Sequence, residues 1–216
     1  MPGDTWVPPF WISPAVLAAS WAYLAKHWDE LPARWAVHWG ADGRANGWAT
    51  PSFQGVYGVL LLGLVIWVAL EAIVLALHVQ AHLIGGTEAG SVATVVFLRW
   101  VSISVSLALS YLAVKLPFGD GQAGPSVVLV LALLGGGILV GMVHGMTAAR
   151  RAQEAGAPVA TGYHGVYYAN REDRRLFVPK RYGLGYTINF SHPWAWPALL
   201  ALIGLPAVLV FIVTRR

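Results

Sequence analysis

The sequence predicts an all-α integral membrane protein: a bundle of about five transmembrane helices with a small β-containing cytoplasmic segment. Three observations predict it. Hydrophobic residues make up 57% of the 216 positions and charged residues only 11%, whereas soluble domains carry about 25% charged residues. Too few polar groups would then cover the surface of a soluble monomer. Five runs are long and apolar enough to cross a hydrocarbon layer of about 30 Å, which takes roughly 20 residues at ~1.5 Å of rise each. Most of the 11 tryptophans lie near the ends of those runs, where indole rings favour the headgroup layer.

The first run is Pro9 to His27. Met1 to Trp6 lacks the basic start of a signal peptide, so this run is expected to be a retained helix. The second is Val56 to Val79 with one acid, Glu71, and the third is Ala93 to Leu116 with Arg99 near its start. The fourth is Ser126 to Thr147 with His144 near its end, and the fifth is Trp196 to Val213. Within the fourth, Gly135-Gly136-Gly137 would permit close helix contact or a bend, or simply fill space.

Orientation follows from Lys and Arg. The stretch from Arg150 to Pro193 holds seven cations: Arg150, Arg151, Arg171, Arg174, Arg175, Lys180 and Arg181. It is therefore expected to be cytoplasmic, with the N-terminus inside and the 28–55 loop outside. The organisation is then a four-helix region over 1–149, a cytoplasmic segment over 150–193 and a fifth helix over 194–216. Arg215-Arg216 would fall outside, against the rule, unless the fifth run re-enters instead of crossing. The absence of cysteine excludes disulfides, thiolate metal sites and a cysteine nucleophile. A net charge of +4 could suggest nucleic acid. No nucleic-acid module is present, and cations beside helix ends fit topology and anionic lipid better.

Two loops carry strong patterns. In the outer loop, His38-Trp39 reads as a short extended piece, and Asp42-Gly43 and Asn46-Gly47 are turn dipeptides that accept positive φ. Leu31, Pro32, His38, Trp39, Gly43, Gly47 and Trp48 together resemble the domain of unknown function 1648. That domain occurs in bacterial membrane proteins that include the immunity family against the sporulation-delaying toxin. Ala36 stands where that pattern has proline and Asn46 where it has aspartate. Asparagine cannot act as a base. In the inner segment, Tyr167-Tyr168, Leu176-Phe177-Val178 and Tyr186 to Phe190 read as short β pieces separated by turns at Gly183 and Gly185. The run from Tyr167 through Arg175, Lys180 and Arg181 to Asn189-Phe190 resembles the domain of unknown function 5808, with Arg174 at a frequent proline position.

Several candidate sites follow. In the outer loop, His38, Trp39, Gly43, Asn46 and Trp48 form a candidate binding surface. His38 would fix the loop by bonding a turn carbonyl, touch a ligand, or bind a metal, although only Asp42 lies near as a second ligand. Within the membrane, Glu71 lies roughly 22 Å along the second run and Arg99 about 9 Å along the third, which enters from the other side. These depths agree and predict an ion pair facing the bundle interior, either a lock between helices or part of an ion or proton pathway. His78, His82 and His144 would reach similar depths, where they could bind a divalent metal or haem, or cap carbonyls and sit in the interface. Asn170, Asp173, Arg175, Lys180, Arg181 and Asn189 form the polar set of the inner segment.

No nucleophile elbow, zinc-protease helix or phosphate-cradling loop is present. The sequence points to a non-enzymatic membrane protein of immunity or signalling type without a cofactor. The resemblance implies a bacterial plasma-membrane location, a peptide or envelope ligand at the outer loop and a cytoplasmic protein partner at the inner segment. A metal- or haem-binding redox subunit and an accessory subunit of a larger complex are the alternatives.

Overall fold

The structure is a computed structural model and describes residues 6–40, 42–84, 89–119, 124–157, 160–165, 167–180 and 185–200. Four helices form the body: α1 (Ile12–Lys26), α2 (Phe53–Ile84), α3 (Ala89–Phe118) and α4 (Gly124–Glu154). A 3-10 turn (Trp28–Glu30) and a hairpin of β1 (Trp35–Trp39) and β2 (Ala45–Ala49) join α1 to α2. Beyond α4 come β3 (Tyr163–His164), β4 (Tyr167–Tyr168), β5 (Phe177–Pro179) and β6 (Tyr186–Ile188). These pair as two antiparallel hairpins, β3–β4 and β5–β6, joined by a parallel bridge between Tyr168 and Asn189. The architecture is mostly helical with three small sheets, so strand structure occurs in the loop between α1 and α2 as well as beyond α4.

Among the described residues, three helices are long and apolar enough to cross a membrane, over Phe53–Gln80, Ala89–Phe118 and Val127–Glu154. The first expected span departs from the expectation of a full-length helix. α1 has only 15 residues and begins at Ile12, not at Pro9. Pro8-Pro9 keeps Val7 and Pro8 out of the helical region, because each proline restricts the residue before it, and Phe10-Trp11 forms a turn before α1 begins. Residues 6–9 therefore run as non-helical chain ahead of α1. Pro8 is fully buried, and Val7 packs on the Val92, Val96, Ala148 and Ala152 cluster of α3 and α4. Of the fifth run, residues 196–200 are helical and the remainder lies outside the described residues.

α4 continues past the expected end at Thr147 and carries Arg150 and Arg151 on helix, not in a connector. It stops where Gly156 adopts φ +86°, with Ala157 N–H donating to Ala152 O at 2.8 Å and Gly156 N–H to Gln153 O at 2.9 Å. This double bond around a left-handed glycine is a Schellman termination.

α3 is the central helix, and many of its buried positions are small, among them Ser102, Ser104, Ser106, Ala108, Ser110 and Ala113. Small side chains let apolar helices approach closely, and hydrogen bonds between helices add to the contact. Both occur here. A Cβ on Gly137 of α4 would lie 2.2 Å from Ser104 Cβ, and one on Gly141 would lie 3.0 Å from Trp100 Cβ. Gly135 and Gly136, by contrast, face open space. The Ser13 and Ser102 hydroxyls bond each other at 2.8 Å, tying α1 to α3.

Candidate functional site

The β1–β2 hairpin is held by aromatic packing at one end of the bundle. Trp35 and Ala36 are buried, and Trp35 joins a core with Leu17, Leu24, Val56, Tyr57, Leu60 and Ala113. Trp21 stacks on Tyr57 with centroids 4.0 Å apart, and Trp28 and Phe53 flank the same ring. Burying one such side chain stabilises by roughly 1.5–3 kcal/mol, so the hairpin base is fixed.

The tip is set by turn chemistry. Gly43 has φ +76°, Gly43 N–H donates to Gly40 O at 3.0 Å, and Asp42 Oδ1 accepts from Arg44 N–H at 3.1 Å. Gly47 pairs with His38 so closely that a Cβ there would lie 2.8 Å from His38 Cβ. Across the strands His38 Nδ1–H donates to Asn46 Oδ1. That fixes one tautomer and leaves Nε2 as an acceptor on an exposed ring. Trp48 is exposed, and the Arg34 guanidinium lies 4.7 Å over its ring. The loop-fixing partner of His38 is thus the amide of Asn46, not a turn carbonyl. Aspartate at position 46 would make this a charge-assisted hydrogen bond.

Between the two ends, Arg99 Nη2 lies 3.0 Å from Glu71 Oε2, with side chains 14% and 21% exposed. The ring of Phe10 covers the Arg99 guanidinium at 5.7 Å, and Trp67 Nε1–H donates to Phe10 O at 3.2 Å. The segment before α1 therefore lies over the ion pair. Arg99 Nε is buried without a partner among the described residues.

The three histidines are not brought together. His78 Nδ1–H donates to Val74 O at 2.8 Å on its own helix, and His82 is exposed near the end of α2. His144 Nδ1 accepts from Trp100 Nε1–H at 2.9 Å, and Trp6 stacks on its ring at 5.8 Å. Among the described residues no group of three His, Cys, Asp or Glu side chains could hold a metal ion. The Trp6–His144–Trp100 arrangement was not anticipated from sequence. Its only signal is an aromatic one turn from Gly141 on the facing ridge, which requires the helix pairing to be known.

The polar set of the second loop folds into one network. Asn189 is 0% exposed. Its Nδ2 donates to Asn170 O at 2.8 Å and Asp173 O at 2.9 Å, and its Oδ1 accepts from the N–H of Asn170 and of Ser191. Arg175 donates to Asp173 through Nε at 2.8 Å and Nη2 at 2.6 Å, and Tyr168 OH donates to Asp173 Oδ2 at 2.7 Å. Burial raises the Asp173 pKa, but the Arg175 and Tyr168 bonds outweigh it and hold the carboxyl below its ordinary value. Burial, then the hydrogen bond to Asp173, pushes the Tyr168 phenol up to about 12. Asn170, Asp173, Arg175 and Asn189 are thus turned inward on one another, while Lys180 is exposed and Arg181 lies outside the described residues.

This module is seated on the ends of α2 and α3. Tyr186 OH and Ser91 Oγ are 2.9 Å apart, Gly185 N–H donates to Thr94 Oγ1 at 3.2 Å, and Gln80 Nε2 donates to Phe177 O at 3.2 Å. Pro179 fits so tightly over Gly90 that a Cβ there would lie 2.8 Å from it.

No curated protein and no solved structure matches the chain. Two family models match parts of it, and each falls on one of the two end structures. Residues 15–64, from α1 through the hairpin into α2, match a domain of unknown function (DUF1648), and residues 171–196, which hold β5, β6 and Asn189, match a family of unknown function (DUF5808).

Proposed function

We propose that this chain is a non-enzymatic, multi-pass protein of the bacterial plasma membrane, of immunity or signalling type. Its hairpin binds a peptide or envelope ligand outside, and its β module docks a protein partner in the cytoplasm. Five crossings complete the arrangement: α1 with the chain before it, α2, α3, α4 and the run from Trp196 to Val213. The cation-rich side of the bundle, with Arg150, Arg151, Arg171, Arg174 and Lys180, faces the cytoplasm by the positive-inside rule.

One observation carries this reading. The hairpin has a buried base at Trp35 and Ala36 and presents His38, Val37 and Trp48 outward on a backbone locked by the His38–Asn46 bond. Rigid exposed aromatics beside an adaptable polar group suit recognition, because little conformational freedom is lost on contact. The Glu71–Arg99 pair and the Trp100–His144 bond tie α2, α3 and α4 together between the ends, so ligand contact would act on the module by shifting the helix equilibrium.

A photo-crosslinking residue at Val37 in native membranes tests this reading. A discrete adduct that disappears in Trp48→Ala supports it. An adduct pattern indifferent to Trp48→Ala and His38→Ala overturns it.

A further inference from the structure

The β module has a buried side and an exposed side, with Val178-Pro179 and Ile188-Asn189 buried as pairs. Tyr168, Val178 and Asn189 point inward and are all but fully buried, and their neighbours Tyr167, Phe177 and Phe190 point out and are 48%, 43% and 36% exposed. A water-facing module of this size would place polar side chains at those outward positions. Here they are aromatic, and two of them join a connected surface. Tyr167 meets Phe190 edge-on at 6.3 Å, Phe190 meets Trp196 at 5.8 Å, and Trp194 and Trp196 are 66% and 61% exposed.

Position supplies the second argument. Phe177 is bonded through its carbonyl to Gln80, which ends the apolar stretch Phe53–Gln80 of α2. That places Phe177 at the level where a span leaves hydrocarbon. Trp196 in turn opens an apolar run that holds no charged residue before Arg215. The cations Arg150 and Arg151 stand exposed on the last turns of α4 at the same end, where Ala148 and Ala152 pack against Ala89 and Val92. Aromatic rings beside cations match the two layers of an anionic bilayer surface, acyl boundary and phosphate.

We propose that the module is not suspended in solvent but lies on the membrane, with Tyr167, Phe177, Phe190, Trp194 and Trp196 immersed in the headgroup layer of anionic phospholipid. The inference rests on the membrane-spanning reading of α2 and α4. A module held this way presents its remaining face, with Lys180, to a partner.

The chain contains no cysteine, so single spin labels report one site each. The full-length protein is reconstituted in vesicles of phosphatidylcholine and phosphatidylglycerol. Tyr167→Cys, Phe190→Cys and Trp194→Cys are labelled singly, with Leu139→Cys on the exposed face of α4 as the lipid reference and Arg44→Cys at the hairpin tip as the water reference. Relaxation by oxygen, which partitions into lipid, is compared with relaxation by a water-soluble nickel chelate. The expected oxygen-to-nickel ratio at 167, 190 and 194 is several-fold above that at 44 and approaches that at 139. A ratio equal to that at 44, with 139 still lipid-like, overturns the proposal and leaves the spanning reading intact. Protection from both reagents also overturns it, since protein would then cover the face. A water-like ratio at 139 overturns the spanning reading and the proposal together. Trp194→Cys keeps the test decisive if a variant inside the module does not fold.

Discussion

Replacing Glu71 with Gln leaves the Arg99 guanidinium charged at 14% exposure and without the carboxylate now 3.0 Å away. The Arg99 Nε already lacks a partner among the described residues, so little is available to absorb the loss. A hydrogen bond to a charged group contributes about 1.5–3 kcal/mol, and in the proposed arrangement an arginine left unpaired in the inner half of a span costs up to about 2.5–3.5 kcal/mol, the value for a helix centre. The Phe10 ring already lies over the guanidinium before the substitution, so it offsets nothing. The net destabilisation is about 3 kcal/mol, and at about 2–4 °C per kcal/mol for a chain of this size the Tm falls by about 6–12 °C. The assay is thermal unfolding in mild detergent, followed by size-exclusion chromatography after heating. The double variant Glu71→Leu/Arg99→Leu removes both charges and is expected to recover most of the loss, giving a non-additive cycle. Additive single and double variants, or a Tm change within error for Glu71→Gln, would refute the coupling of α2 to α3 through this pair.

Further predictions follow from the packing and from the module. Gly137→Ala should lower Tm, because its Cβ would fall 2.2 Å from Ser104 Cβ; Gly135→Ala, facing open space, should leave Tm unchanged or raise it through the ~0.5–1 kcal/mol helix advantage of alanine. Asn189→Ala strands two carbonyls and two backbone N–H groups, and at ~1–3 kcal/mol for a buried group left unpaired it should open the module; limited proteolysis cutting within 163–190 checks this, and an unchanged digest would refute it. The module should also respond to pH at both extremes. Because Asp173 is held below its ordinary value of 3.8, its contribution is complete above that value and is lost as pH falls through the lower folded value. Because Tyr168 is pushed up to about 12 from 10.0, its contribution is complete below pH 10 and lost as pH rises toward 12; a tyrosinate absorbance titration with one late phenol, absent in Tyr168→Phe, is the check.

The long helices were legible because composition and length suffice: α2, α3 and α4 each enclose the apolar run read from sequence. The turn at Gly43 was legible because only glycine takes φ +76° without strain. Depth matching from 1.5 Å of rise put Glu71 and Arg99 in one layer, and they lie in contact. Hydropathy places the end of α4 at Thr147, whereas the helix runs to Glu154 and closes at Gly156. Pro8-Pro9 signals the extended chain ahead of α1, a local backbone rule that hydropathy does not register. Asn189 as the hub of a buried network and His144 bonded to Trp100 were not legible. Each depends on long-range register, between residues 16 to 19 positions apart in the first case and 44 in the second, which no local pattern specifies.

In the proposed arrangement the hairpin and the module lie on opposite sides of a membrane. Single cysteines at Arg44 and Glu172, treated in intact cells with a membrane-impermeant maleimide, measure this directly. The expected result is labelling of Arg44→Cys in intact cells and of Glu172→Cys only after permeabilisation. Labelling of Glu172→Cys in intact cells, or identical behaviour of the two positions, would contradict it.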